Sequence, residues 1–583
     1  MIILMVIVLV PTLLLGQVFG AGAAAIIGGF VALFSLISSM GGPLRANLLR
    51  FSFVGPLVAV GSIAPRLLAE VSVIAAIALA TIIVFVAGLL PLRSSRYNST
   101  ALGLGMGTLL GYAMPVGTTS ALGLIAAALA GLVVSGLLLL VMGKKDPSAP
   151  TRAAVAGLFD ESNVDFAGAF SLWVSDRSPK WLGSTLLAAG RYRLARRVVV
   201  SQSGSSDAAA ESLDFAAELA THVADAIRAP KSEGAAPTES SPTAAAETTV
   251  TDTPAISAMM TALHDAERAA AERDITPTAV SPTLRRTVDG QSVRAGIGQG
   301  AIQLRHAIRT AVAVLLAFCV SLFLEPGDPL LPTLLLTTLG VVQASWHATL
   351  ARALDRFGGI LAGGVLVVLV LAFLPPSFLF PISMVGLAVG MWFITARPAI
   401  GTAGLIVMSV GLNAEVRNLD PFAVAIEYTI LTAIALLIAT VIGFAVVPSW
   451  RPAAIAVRVS RAIDEVAGVL LALGESPADD RSALRLSAVT NSQVATQQLV
   501  PDHEKLTAIQ ERELAQFREG LKDLLVTSIF LATQSAPDTQ HDFSSAARIL
   551  SGGAVAETER MDVVNLLAWG VASQRARLEA TFD

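Results

Sequence analysis

Two long apolar blocks, each followed by a polar segment, constrain this chain more than any motif in it. Residues 1–143 carry six charged side chains, Arg45, Arg50, Arg66, Glu70, Arg93 and Arg96, and residues 303–449 carry twelve. A run of ~20 apolar residues crosses a bilayer as a helix, so each block has room for several. Spans are predicted near 2–19, 21–39, 51–64, 71–92, 101–116 and 121–142, then near 305–324, 330–343, 357–374, 378–394, 398–412 and 422–447. With 54% hydrophobic and 14% charged residues overall, the charge is concentrated in the polar segments. The reading is an all-α polytopic membrane protein of two direct repeats, each of about six transmembrane helices followed by a helical cytoplasmic region.

Loop charge orients the spans. With the N-terminus inside, the short inner loops hold Arg45, Arg50, Arg93, Arg96, Lys144, Lys145, Arg305, Arg309, Arg352, Arg356, Arg397 and Arg451. The outer loops hold only Arg66 and Arg417, beside Glu70, Glu325, Asp328, Glu415 and Asp420. This positive-inside bias predicts a multi-pass protein of the plasma (inner) membrane with its N-terminus and both soluble regions cytoplasmic. The opening MIILMVIVLV reads as a first span, and whether the N-terminus is complete stays open.

The halves resemble one another. Residues 48–64 align with 354–372 on Arg50-Phe51 and Arg356-Phe357, and 96–114 align with 397–415 on Arg96 and Arg397. An even number of spans per half makes the repeat parallel. The predicted domains are membrane blocks at 1–143 and 303–449, a helical region at 144–302 and a C-terminal helical domain at 450–583. Helical spacing marks 207–229, 255–272, 453–473, 481–499, 502–533 and 558–581, whereas the Pro/Ser/Thr/Ala tract at 230–254 is predicted to be disordered.

Enzyme signatures are missing. There is no GxxxxGK[ST], no HExxH, one cysteine (Cys319) and six scattered histidines, so no cofactor or metal site is predicted. A net charge of −4 gives no footprint for nucleic acid.

The stretch 305–317 (RHAIRTAVAVLLA), continuing through 334–364, resembles the fusaric-acid-resistance and aromatic-acid-exporter (FUSC) family. The shared features are Arg305 and Arg309 at a helix entrance, Gln343-Ala344-Ser345 closing a span, Arg352 and Arg356 on an amphipathic stretch, and Gly358, Gly359, Gly363 and Gly364 after it. The likeness reaches, more distantly, plant malate channels. Two departures stand out: Glu427-Tyr428-Thr429 occupies a place where the family often has Arg, and the first half lacks the basic entrance. The resemblance implies a secondary transporter that exports small organic anions, aromatic carboxylates, across the plasma membrane, driven by an ion gradient. A passive anion channel and a membrane scaffold recruiting envelope partners are the alternatives.

Candidate sites follow from the charges left inside the blocks. Arg50, Arg96, Arg356 and Arg397, with Gln343 and Trp346, are candidates for binding an anion, because guanidinium pairs with carboxylate bidentately. Arginines at inner helix ends are also what topology and snorkelling require. Glu427, inside the last span, is the candidate for proton coupling, with Asp355 and His347 as further candidates. Gly103, Gly105, Gly107 and Gly111 correspond to Gly401, Gly404 and Gly411, and such broken segments mark either a substrate path or close helix packing. Expected partners are the lipid bilayer and a small organic anion; a homo-oligomer or a periplasmic or envelope partner protein stays open.

Overall fold

The computed structural model describes residues 2–92, 97–114, 120–160, 165–202, 207–230, 253–278, 302–325, 327–343, 346–373, 375, 378–393, 397–417, 420–445, 453–475, 486–501, 504, 506–534, 542–553 and 563–582. The first block forms α1 (Ile2–Val18), α2 (Ala25–Ser39), α3 (Leu44–Ala69), α4 (Val73–Leu89), α5 (Asn98–Ala113) and α6 (Ala121–Lys144). The first polar segment forms α7 (Ala149–Ala156), α8 (Phe166–Ser175), α9 (Lys180–Gln202), α10 (Asp207–Arg228) and α11 (Pro254–Glu272). The second block forms α12 (Ile302–Ser321), α13 (Leu331–Val341), α14 (Trp346–Phe373), α15 (Leu379–Phe393), α16 (Pro398–Arg417) and α17 (Pro421–Ala445). The C-terminal segment forms α18 (Ile455–Glu475), α19 (Leu486–Gln497), α20 (Ala508–Gln534), α21 (Phe543–Leu550) and α22 (Val563–Ala580).

The chain is thus an all-α, multi-pass membrane protein. Among the described residues, seven helices are long and apolar enough to cross a membrane: Gly22–Ser39, Leu44–Ala69, Val73–Leu92, Ala121–Lys144, Gln303–Ser321, Ala348–Phe373 and Pro421–Phe444. Shorter apolar helices accompany them, including Ile3–Val18, Leu331–Val341 and Pro398–Ala414. Two helices begin earlier than the apolar text suggests. α3 starts at Leu44 and α14 at Trp346, so the stretches carrying Arg45, Arg50, Arg352 and Arg356 continue the spans as helix. Neither Pro nor Gly interrupts 346–357, and nothing there stops an amphipathic turn from extending the helix.

Glycine contacts set the spacing of the first block. A Cβ on Gly131 of α6 would lie 2.2 Å from the Gly28 carbonyl oxygen of α2, and one on Gly28 would lie 2.3 Å from the Ala127 carbonyl oxygen. Gly111 of α5 meets the Ser62 carbonyl oxygen of α3 in the same way. In the second block a Cβ on Gly404 of α16 would lie 2.6 Å from the Gly386 oxygen of α15. With no water to expel between helices in lipid, such backbone proximity supplies the van der Waals contact that holds them. The helices pair as α1–α2, α2–α6, α3–α5 and α3–α6 in the first block, and as α12–α13, α13–α17, α14–α16 and α14–α17 in the second.

The blocks meet where α4 packs on α12 and α5 on α13. Ile77, Val84, Leu109, Phe318, Leu334 and Leu335 share one core there, and Tyr112 meets Phe318 edge to face at 5.1 Å. The Gln303 side-chain amide donates to the Gly88 carbonyl oxygen (3.1 Å).

Both polar segments contribute to one large buried core. Phe170 and Trp173 of α8 pack against Phe530 of α20, and Leu186 and Tyr192 of α9 lie buried in the same cluster as Leu524 and Leu567. The Leu44 amide donates to the Pro147 carbonyl oxygen, which joins this domain to the start of α3. Inside it, Asp523 of α20 is fully buried and receives Arg193 Nε (3.1 Å) and Arg197 NH2 (2.8 Å) from α9. The α7, α8 and α9 helices lie where sequence patterning marked none. Polar Arg193, Arg196 and Arg197 break the apolar stripe of α9, and partners on distant helices keep that face inside the protein. The 230–254 tract lies almost wholly outside the described residues.

Two outcomes follow. Replacing Asp523 with Asn leaves two guanidinium groups facing a neutral amide, which should cost ~3 kcal/mol and appear as a lower unfolding temperature of the detergent-solubilised protein. Gly131→Val should destabilise the α2–α6 contact by about 1–3 kcal/mol or more, read as loss of a monodisperse peak in size-exclusion chromatography, while Gly364→Val, at a position with no atom close to its Cβ, should retain it.

Candidate functional site

The α13 helix has 11 residues, roughly 16 Å at 1.5 Å per residue, about half of a ~30 Å hydrocarbon core. A helix this short cannot place both ends in water, so its terminal amide and carbonyl groups need partners from the protein. Asp328 serves the start, accepting from the Leu330 amide at 2.7 Å. At the other end the Gln343 side-chain amide donates to the Gly340 (3.2 Å) and Val342 (3.0 Å) carbonyl oxygens, and the Gln343 backbone amide donates to Thr349 Oγ1 (3.0 Å).

Along α13, polar side chains from α14 and α17 form a ladder. Arg352 NH1 reaches the Gly340 carbonyl oxygen at 3.5 Å, and Arg356 NH1 donates to Thr337 Oγ1 at 2.8 Å. Arg356 also lies near the Tyr428 hydroxyl of α17, which is hydrogen-bonded with Thr333 one turn further along α13. The next residue, Glu427, shares a hydrogen bond with Asp328, and Glu325 stands close by. Basic groups therefore occupy one end of α13 and carboxyl groups the other, with hydroxyls between. Beside Glu427 is a cavity of about 510 Å³ whose walls, including Val320, Phe323, Ile426 and Ile430, are otherwise apolar.

Residues 312–442 match the family described as Fusaric acid resistance protein-like. This match lies within the second apolar block. The matched stretch runs from α12 to the last turns of α17 and contains the whole ladder. Neither a curated protein nor a solved structure matches the chain.

The matched stretch brings together some of the sequence candidates. Arg356 donates to Thr337 of α13, Gln343 caps the C-terminal end of that helix, and Glu427 meets Asp328 just before its start. Arg397 stands exposed at the start of α16, and Asp355 is exposed on α14. Arg50 lies in the first block, near Tyr97. Arg96 lies outside the described residues, as do the side chains of Trp346 and His347. The glycines of α5 mostly serve packing: Gly103 abuts Ser38, Gly107 and Gly111 abut Ser62, and Gly105 faces Leu339 of α13 across the junction of the blocks.

Patterning passed over Thr337, Thr333 and Tyr428, which look like ordinary residues of apolar spans. Arg305 and Arg309 are buried on the first turns of α12 rather than lying at an open entrance. Their spacing of four, which puts both on one helical face, was the available signal.

Proposed function

We propose that this protein is a secondary transporter that exports small organic anions, aromatic carboxylates among them, across the plasma membrane, with its polar regions in the cytoplasm. The family suggests a membrane transport or efflux role. The observation that carries the finer reading is the ladder along α13, from Arg352 and Arg356 through Tyr428 to Glu427 and Asp328. A guanidinium that donates to a hydroxyl keeps further N–H groups for a carboxylate, so Arg356 receives the anion and Thr337 holds its side chain in place. Ionisable groups at membrane depth are costly unless they serve a path, and two carboxyls in contact can hold one proton between them. Glu427 and Asp328 couple the export of an anion to the entry of a proton.

Flux of benzoate in proteoliposomes tests this. Vesicles acidic inside should take up benzoate as protons leave, and vesicles acidic outside should release it. Arg356→Gln should lower the rate by about tenfold or more, the worth of a charge-assisted hydrogen bond, with Arg356→Lys in between. Glu427→Gln should remove the dependence on the pH gradient while leaving downhill exchange. Flux that follows voltage alone would instead make the protein a channel, and pH coupling intact in Glu427→Gln would sink the role assigned to that carboxyl.

A further inference from the structure

Outside the membrane helices, α9, α20 and α22 meet around a second polar cavity of about 430 Å³. Its wall holds five arginines, Arg193, Arg196, Arg197, Arg518 and Arg577, and one carboxylate, Glu519. Behind that wall, Asp523 is shared by Arg193 and Arg197, and Glu513 lies 3.8 Å from Arg577. Glu519 is itself bound by Arg518 (3.3 Å) and Lys522 (3.0 Å). Guanidinium and ammonium groups outnumber carboxylates, and the excess positive charge is concentrated in a concave space.

The donors are also incompletely used. Among the described residues, the buried Arg197 NH1 has no hydrogen-bond partner, and Arg577 Nε is met only by Glu513 at 3.8 Å. The Gln574 amide, 1% exposed, lines the same wall with its oxygen unpaired. A half-turn of that amide exchanges oxygen and NH2, so it too can donate into the cavity. Burial pulls the Arg197 guanidinium below its ordinary pKa although Asp523 is beside it, as follows when desolvation outweighs the available countercharge. Buried cations of this kind are stabilised by an anion that supplies several acceptors at once.

We propose that this cavity binds a small organic anion bearing at least two carboxylate or phosphate groups, at a site separate from the membrane ladder. The volume lies in the range of metabolite-sized sites. A single carboxylate would meet only part of the wall, whereas a multivalent anion reaches α9 and α22 together. Arg193 and Arg197 are held by Asp523 and position the wall; Arg196, Arg577 and Gln574 are assigned to the ligand. The site sits in the core shared by the two polar segments, so binding there ties α9 to the C-terminal helices. This inference does not rest on the transport reading.

The test uses full-length protein in lipid nanodiscs, titrated with citrate, pyrophosphate and benzoate at constant ionic strength and followed by calorimetry and thermal unfolding. Saturable binding of citrate or pyrophosphate that raises the unfolding temperature is expected, with benzoate weak. Citrate alone would mark a carboxylate ligand, and pyrophosphate alone a phosphate ligand. Arg577→Gln and Arg196→Gln should each weaken binding by roughly tenfold or more, Arg577→Lys by less, and Arg575→Gln, whose partner Glu579 is on the same exposed helix face, should leave it intact. Matching unfolding temperatures of the unliganded Arg577→Lys and wild-type proteins separate lost binding from lost folding. No saturable binding by either multivalent probe overturns the proposal, as does binding that survives both pocket variants or is lost only in Arg356→Gln.

Discussion

The shortness of α13 is the constraint on which the second membrane block depends. An 11-residue helix inside a bundle of longer ones exposes unpaired amides and carbonyls at a depth without water. Asp328 at one end and Gln343 with Arg352 at the other answer that need. Their presence in turn makes a polar seam energetically tolerable between α13, α14 and α17. Arg356 and Tyr428 occupy that seam, bonded to hydroxyls of α13 rather than left in hydrocarbon.

Around the seam the packing is of another kind. Gly28, Gly111, Gly131 and Gly404 bring backbones together where no Cβ would fit. The glycines and the charges thus have separate duties: small residues set distances between helices, and Arg352, Arg356 and Asp328 serve the short helix α13. The extramembrane domain repeats the principle with water nearby. Asp523 is tolerated at full burial because two guanidinium groups from α9 reach it, and the surplus of arginine around them gives that domain a cavity with anion-binding character.

Much of this was legible in the residues. Apolar runs of spanning length are a local property, and their positions needed no knowledge of neighbours, although α3 and α14 begin well before the apolar text. The family likeness of the second block was legible too, in the Arg305, Gln343 and Arg356 surroundings. Arg356 and Glu427 stood out because charge in an apolar run is rare and costly. Thr333, Thr337 and Tyr428 did not, since a hydroxyl in a span has little meaning until its partner is known.

The sequence by itself determined that the chain is helical, that it enters a membrane in two blocks and which charges lie inside them, because these depend on the free energy of transferring consecutive side chains out of water. Only the tertiary structure decided that the two polar segments share one core, that Asp523 meets Arg193, 330 residues away, and that Arg356 meets α13 while Glu427 meets Asp328 at its start. Those outcomes depend on pairing between groups remote in the chain. Hydrophobic periodicity says which face of a helix is covered, but it carries no record of what covers it.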